Sequence, residues 1–168
     1  MLLHHAHSTL ADFSRKFVRL VHSSIFSRIG ASTKSGAVQN VEVQDVTLTF
    51  FRSFARGTYV FRSQPELASA WAATPFEFYP IGIVTVEPAV PTYNFSKYTV
   101  VGLSHGIGKW CFAPRITRAL SDGNNLVVHY FVPTAGTLAC MFNAPLIAFA
   151  VVPHVTGTVG FVQDPAPF

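Results

Sequence analysis

The sequence predicts a mainly β fold: an antiparallel β-sandwich or barrel-like domain with one short helix, preceded by an N-terminal amphipathic helix. Three observations carry that expectation. Short runs of β-branched and aromatic residues recur from Val41 to Val162, divided by Gly-, Pro- and Asn-containing turns. The 168 residues are about one domain's worth and enough to bury a core. The charge is concentrated at one end, which separates an arm (residues 1–36) from a β domain (residues 37–168).

In the arm Arg15, Lys16, Arg19, Arg28 and Lys34 stand against Asp12 alone, while seven basic and seven acidic residues cancel in the remainder, so the formal charge of +4 belongs to the arm. A neutral body argues against nucleic acid as a partner, because phosphates need a basic face to neutralise them. Only 12% of the residues are charged, about half the usual fraction. With 49% hydrophobic residues and sixteen Phe, part of the surface is expected to be covered by a partner or by lipid. The longest apolar run, Ala144 to Val152, is too short for a bilayer and contains Pro145.

Within the arm, His4, His5 and His7 read as a polar end, since a chain terminus does not hold metal ligands in place. Phe13, Phe17, Leu20 and Val21 then recur at helical spacing, with Arg15, Lys16 and Arg19 mainly on other faces. This predicts a basic amphipathic helix over roughly Leu10 to Ile29, closed by Gly30. Such a helix suits docking in a partner's groove or lying on an anionic membrane surface. Its Arg- and Ser-rich, acid-poor composition equally matches a mitochondrial transit peptide. The expected setting is therefore an organellar complex or a membrane-associated, extracytoplasmic one.

In the body, alternation over Val41 to Phe51 predicts a first strand with a bulge at Gln44-Asp45, followed by a strand at Thr58 to Arg62. Ser63, Pro65 and Glu66 form a capping box that starts a short helix, Pro65 to Ala73. Residues 74–92 are rich in Pro and aromatics, with a short strand expected at Ile81 to Val86. Phe76, Phe78 and Tyr79 make a candidate contact surface, or else simply cover the core. Further strands are expected at Lys97 to Ser104, Trp110 to Leu120, Leu126 to Val132, Leu138 to Phe142, Leu146 to Val152 and Val155 to Val162. A glycine turn at Gly106-Ile-Gly joins the first two of these, and Ser121-Asp-Gly-Asn-Asn125 is a hairpin turn.

Few residues point to chemistry. Cys111 and Cys140 are the only cysteines, and either a disulfide or two buried thiols suits their strand positions. Without further Cys or His ligands nearby they make no zinc site. Ser104, His105 and Cys111 invite a hydrolase reading, but no Gly-x-Ser-x-Gly elbow is present and the acids are scattered. His129 reads as a satisfied sheet residue. The Gly-x-Gly at 106–108 lacks the following helix of a nucleotide fingerprint. No enzyme activity, cofactor or metal is expected.

Ser63 to Trp71, Tyr93-Asn-Phe-Ser-Lys-Tyr-Thr-Val-Val-Gly102, Cys111, the Leu126-Val-Val-His-Tyr strand, Cys140 and Ala148 to Pro153 follow one another in an order similar to the PrcB-type protease-complex subunits. The resemblance covers roughly residues 59–162. In place of that family's Thr-Gly-Gly-Tyr turn the chain reads Gly106-Ile-Gly-Lys-Trp110, and the basic helix stands where many bacterial members carry a lipobox cysteine. The resemblance implies a non-catalytic accessory subunit built on a small β-sandwich. The functional expectation is a structural subunit that binds the proteins of a larger assembly through its arm and the aromatic segment. A protease-binding or inhibitor-like module is the alternative, with the turn near Gly106 and Asn143 as its binding edge. Ile107, Lys109 and Trp110 at that turn complete the candidate contact residues.

Overall fold

Two strands buried on both faces set the architecture. The computed structural model describes residues 37–76, 87–134 and 143–165. By backbone contacts the chain separates into Met1–Ser35 and Gly36–Phe168, and the described residues all belong to the second unit. The helix expected in the arm and the strands expected at Ile81 to Val86 and Leu138 to Phe142 lie outside the described residues.

The fold is mainly β, with one short α-helix and two four-stranded sheets packed together. In chain order the elements are β1 (Gln39–Val41), β2 (Gln44–Asp45), β3 (Gly57–Phe61), α1 (Gln64–Ala72), β4 (Tyr98–Lys109), β5 (Arg115–Ser121), β6 (Leu126–Phe131), β7 (Asn143–Pro153) and β8 (Val159–Gln163). One sheet has the order β1-β5-β6-β8 and the other β2-β7-β4-β3. The expected all-antiparallel arrangement needs one correction: β6 and β8 pair in parallel. β7 lies between them in sequence and runs back through the other sheet, so the chain returns to the first sheet in β6's direction.

The first expected strand also divides. At Glu42-Val43 the chain leaves β5, its partner in one sheet, and β2 then joins β7 in the other. The slip in alternation that predicted a bulge marks this change of sheet. Beyond it, Thr47–Phe50 is a 3-10 turn rather than strand. The glycine turn expected near Gly106 is likewise part of a longer strand, with a register shift between Ser104 and Ile107 and Gly106 at φ +80°. Hairpin chemistry at Ser121 to Asn125 is as expected. Asp122 Oδ1 accepts from the backbone N–H of Asn124 and Asn125, and Gly123 takes φ +93°.

Alternation along β4 and β7 sends side chains to two different cores. Val101, Ala150 and Val152 meet Ala119, Leu126 and Val128 of the facing sheet. Val100, Ile147, Phe149 and Val151 point the other way, into an outer layer formed by Phe50, Phe54, Phe61, Leu67 and Trp71. Phe149 anchors that layer. It stacks on Phe50 at 4.3 Å and leans on Phe54 at 4.9 Å. Burying each such ring stabilises by about 2 kcal/mol, and ring pairing adds about 1. Opposite Phe149 in the ladder stands Gly102, and the ring lies across its bare Cα.

α1 supplies Leu67 and Trp71 to this layer. Ser63 Oγ accepts from Glu66 N at 3.4 Å, while the Glu66 carboxylate accepts from Arg62 N at 2.8 Å, one residue earlier than a capping box requires. At the helix's other end Arg52, 5% exposed, donates from Nε and Nη2 to the Thr74 carbonyl. Its Nη1 reaches Glu87 at 2.8 Å, and Trp71 lies 4.9 Å from the guanidinium. Each face of that buried cation therefore meets a carbonyl, a carboxylate or a ring.

A methyl group at position 102 would stand 2.1 Å from Phe149 Cδ1, so the ring must move. Gly102→Ala is expected to lower the urea midpoint by the equivalent of about 2 kcal/mol or more. Gly160→Ala, with open space around its added Cβ, should be nearly neutral. Equal midpoints for the two variants would contradict the close packing of Phe149 on Gly102.

Candidate functional site: a cleft between the sheets

β1 is so short that it pairs only with Ala119–Ser121 of β5, and β2 pairs only with Ala150 and Val151 of β7. Beyond those registers neither strand has a β neighbour on that side among the described residues, and a cleft of about 410 Å³ opens. Its floor is β7 at Ile147, Phe149 and Ala150. Val43, Leu48, Trp110 and Ile116 give apolar walls, and the exposed residues Asp45 and Arg115 bring charge to its rim.

The wall opposite β5 is the 3-10 turn Thr47–Phe50. Side-chain bonds replace strand pairing there. Val46 N donates to the Phe149 carbonyl at 2.9 Å. Thr47 Oγ1 bonds both the carbonyl and the N–H of Phe149, at 3.3 and 3.1 Å. Asp45 Oδ1 accepts from Thr47 N at 2.8 Å and so holds the start of the turn. The turn buries Phe50 completely and leaves Leu48 58% exposed beside the cleft. Arg115 has no ion-pair partner among the described residues.

Of the contact residues expected from sequence, Trp110 lines the cleft, with its ring edge-on to Phe51 at 5.4 Å. Cys111 occupies the 3-10 turn Trp110–Phe112 beside it. Ile107 and Lys109 are exposed but paired in the ladder, opposite Pro145 and Asn143. The expected binding edge near Gly106 and Asn143 is therefore two strand ends already bonded to each other. Phe76 is half-buried, 6.0 Å from the Arg52 guanidinium. Phe13, Arg15, Lys16, Phe17, Arg19, Leu20, Phe78, Tyr79 and Cys140 lie outside the described residues. Sequence reasoning missed Val43, Leu48, Arg115 and Ile116. Their only signal was the broken alternation after Val43 and the strand-breaking Pro114 before Arg115.

Ser104 and His105 do not face one another. Neighbouring strand residues face opposite ways. Ser104, 2% exposed, donates to the Phe54 carbonyl at 2.8 Å in the outer layer. His105 instead meets Tyr130 of the facing sheet edge-on at 6.3 Å. His129 is paired, as its strand position suggested: its Nδ1 lies 2.9 Å from Asp164 Oδ1, with Arg118 alongside. Among the described residues no group of three His, Cys, Asp or Glu side chains could hold a metal ion. No described helix is long and apolar enough to cross a membrane. No family model, curated protein or solved structure matches the chain.

Partial burial lowers the His105 pKa below its ordinary 6.5, and the positive charge of Arg56 lowers it further. A depressed histidine contributes stability above its unfolded pKa and loses it as pH falls through the folded value. The His105 imidazole, followed by NMR, is expected to titrate below pH 6.5. Arg56→Gln should raise that midpoint only part of the way back, since burial is the larger cause. A midpoint at or above 6.5 would contradict the partial burial of His105 near Arg56.

Proposed function

We propose that this chain is a non-catalytic accessory subunit that binds and stabilises a larger protein assembly, with the cleft beside Trp110 as its docking face. One observation carries the reading: a cleft of about 410 Å³, walled in part by Val43, Trp110 and Ile116, lies beside Leu48, a large apolar side chain left 58% exposed. Clefts of this size with apolar walls and a few charged groups are the common form of binding sites. The charge-poor composition supports it, because covered surface needs fewer charges. The resemblance to PrcB-type subunits points to the same class of role.

In this reading the basic arm is a second attachment, through Phe13, Arg15, Lys16, Phe17, Arg19 and Leu20, to a partner's groove or an anionic membrane. Phe76, Phe78 and Tyr79 add a third contact. A Cys111–Cys140 disulfide would tie the turn beside the cleft to a position about 30 residues further on, worth roughly 3 kcal/mol in the chain-entropy model.

The test is recovery of the tagged full-length chain from its own cells, followed by native mass spectrometry. The wild-type chain is expected in a stoichiometric complex that Leu48→Asp disrupts while its thermal midpoint stays close to that of wild type. Recovery as a lone monomer would sink the accessory role, and a complex untouched by Leu48→Asp would sink the cleft as its docking face.

A further inference from the structure

Among the described residues, the edge of β5 that borders the cleft is only partly covered. β1 covers it only at Ala119–Ser121, and no strand among the described residues continues along Arg115–Arg118. Arg115, Thr117 and Arg118 are exposed, and Arg115, Ile116 and Thr117 line the cleft itself. On its other side β5 pairs Ile116 with Tyr130 and Arg118 with His129, which leaves Thr117 as the extra residue of a bulge. This edge therefore borders the cleft, whose lining mixes apolar side chains such as Leu48 and Trp110 with polar ones.

A strand laid along such an edge sends alternate side chains to opposite sides. Here one set would enter the cleft, toward Leu48 and Trp110, while the other would pass the arginines. The charges indicate which residues those should be. Arg115 has no ion-pair partner among the described residues, and Arg118 reaches Asp164 only at 3.7 Å while remaining 54% exposed. Asp45, an acid that also lines the cleft, accepts the Thr47 N–H. Two cations beside this edge favour carboxylates in the incoming segment.

Building on the proposed docking role, we infer that the occupant of the cleft is an extended acidic peptide segment that adds as a strand to β5 at Arg115–Arg118 and places alternate apolar side chains between Leu48 and Trp110. Bulges and arginines also serve to keep an edge from pairing at all, and the experiment separates the two.

The full-length chain is titrated with a labelled heptapeptide of alternating Leu and Glu. Two counterparts carry N-methyl groups on alternate amides, one in each phase, so that one of them blocks the amides facing β5. Saturable binding of the parent peptide is expected, with one N-methylated phase weaker by on the order of tenfold or more and the other nearly unchanged. Arg115→Glu and Leu48→Asp should each weaken binding by on the order of tenfold, with thermal midpoints close to wild type. No saturable binding, or equal binding of both N-methylated phases and the parent, overturns the inference. A chain dimer that Leu48→Asp dissolves assigns the edge to a second copy and also overturns it. If Leu48→Asp loses the native complex while no peptide binds, strand addition falls and the docking role stands. If the native complex is indifferent to Leu48→Asp, the docking role falls and takes the inference with it.

Discussion

Most of this structure follows from the need to cover the sheet β2-β7-β4-β3 on both faces. The inward faces of β4 and β7 meet the second sheet, and their outward faces still carry Val100, Ile147, Phe149 and Val151. Left bare, that outer face would expose a broad apolar surface to water. The segment between β2 and β3, together with α1, supplies Phe50, Phe54, Leu67 and Trp71 to close it. Gly102 is part of the same solution, because only a residue without Cβ lets the Phe149 ring lie flat over the neighbouring strand. Part of the Phe-rich composition, which suggests a partner-covered surface, is thus accounted for by burial of Phe50, Phe54, Phe61 and Phe149 inside the chain. Arg52 then fixes the end of the layer by holding the Thr74 carbonyl and Glu87 together.

The cleft is a consequence of the same demand. To bring Phe50 onto Phe149, the chain after β2 gives up strand pairing and closes into a 3-10 turn. Side chains of Thr47 and Asp45 take over hydrogen bonds that a longer β2 would have made. The turn then stands away from β5, whose own neighbour β1 has already crossed to form β2. No described strand covers Arg115–Arg118, and the space between is the cleft. The cleft is a by-product of how the outer aromatic layer is closed.

Local signals in the sequence were legible where local physics decides. The helix at Gln64–Ala72 could be read from Ser63, Pro65 and Glu66, and the hairpin from Asp122-Gly-Asn. β7 could be read from its unbroken apolar run, and its burial on both faces explains that run. Long-range choices were not legible. Alternation at Val46, Leu48 and Phe50 suits a strand, but the tertiary contact of Phe50 with Phe149 selects a 3-10 turn. Gly106 looked like a turn between strands, yet one Gly at positive φ was used for a bulge within β4. The parallel pairing of β8 depends on β7 crossing between sheets, which no local pattern records. Trp110, singled out in the sequence with the glycine turn, also lines the cleft. Leu48 and Ile116 became site residues only through the gap left by short β1 and β2.

Hydrogen exchange of the free full-length chain measures both halves of this account at once. β4 and β7, covered on both faces, should show the slowest amides in the protein. The amides of β5 on the edge that faces the cleft at Arg115–Arg118 should exchange far faster than those bonded to β1 at Ala119–Ser121. Equal protection along the whole of that edge would mean that β5 is already covered in the free chain, and the cleft would not be the site described.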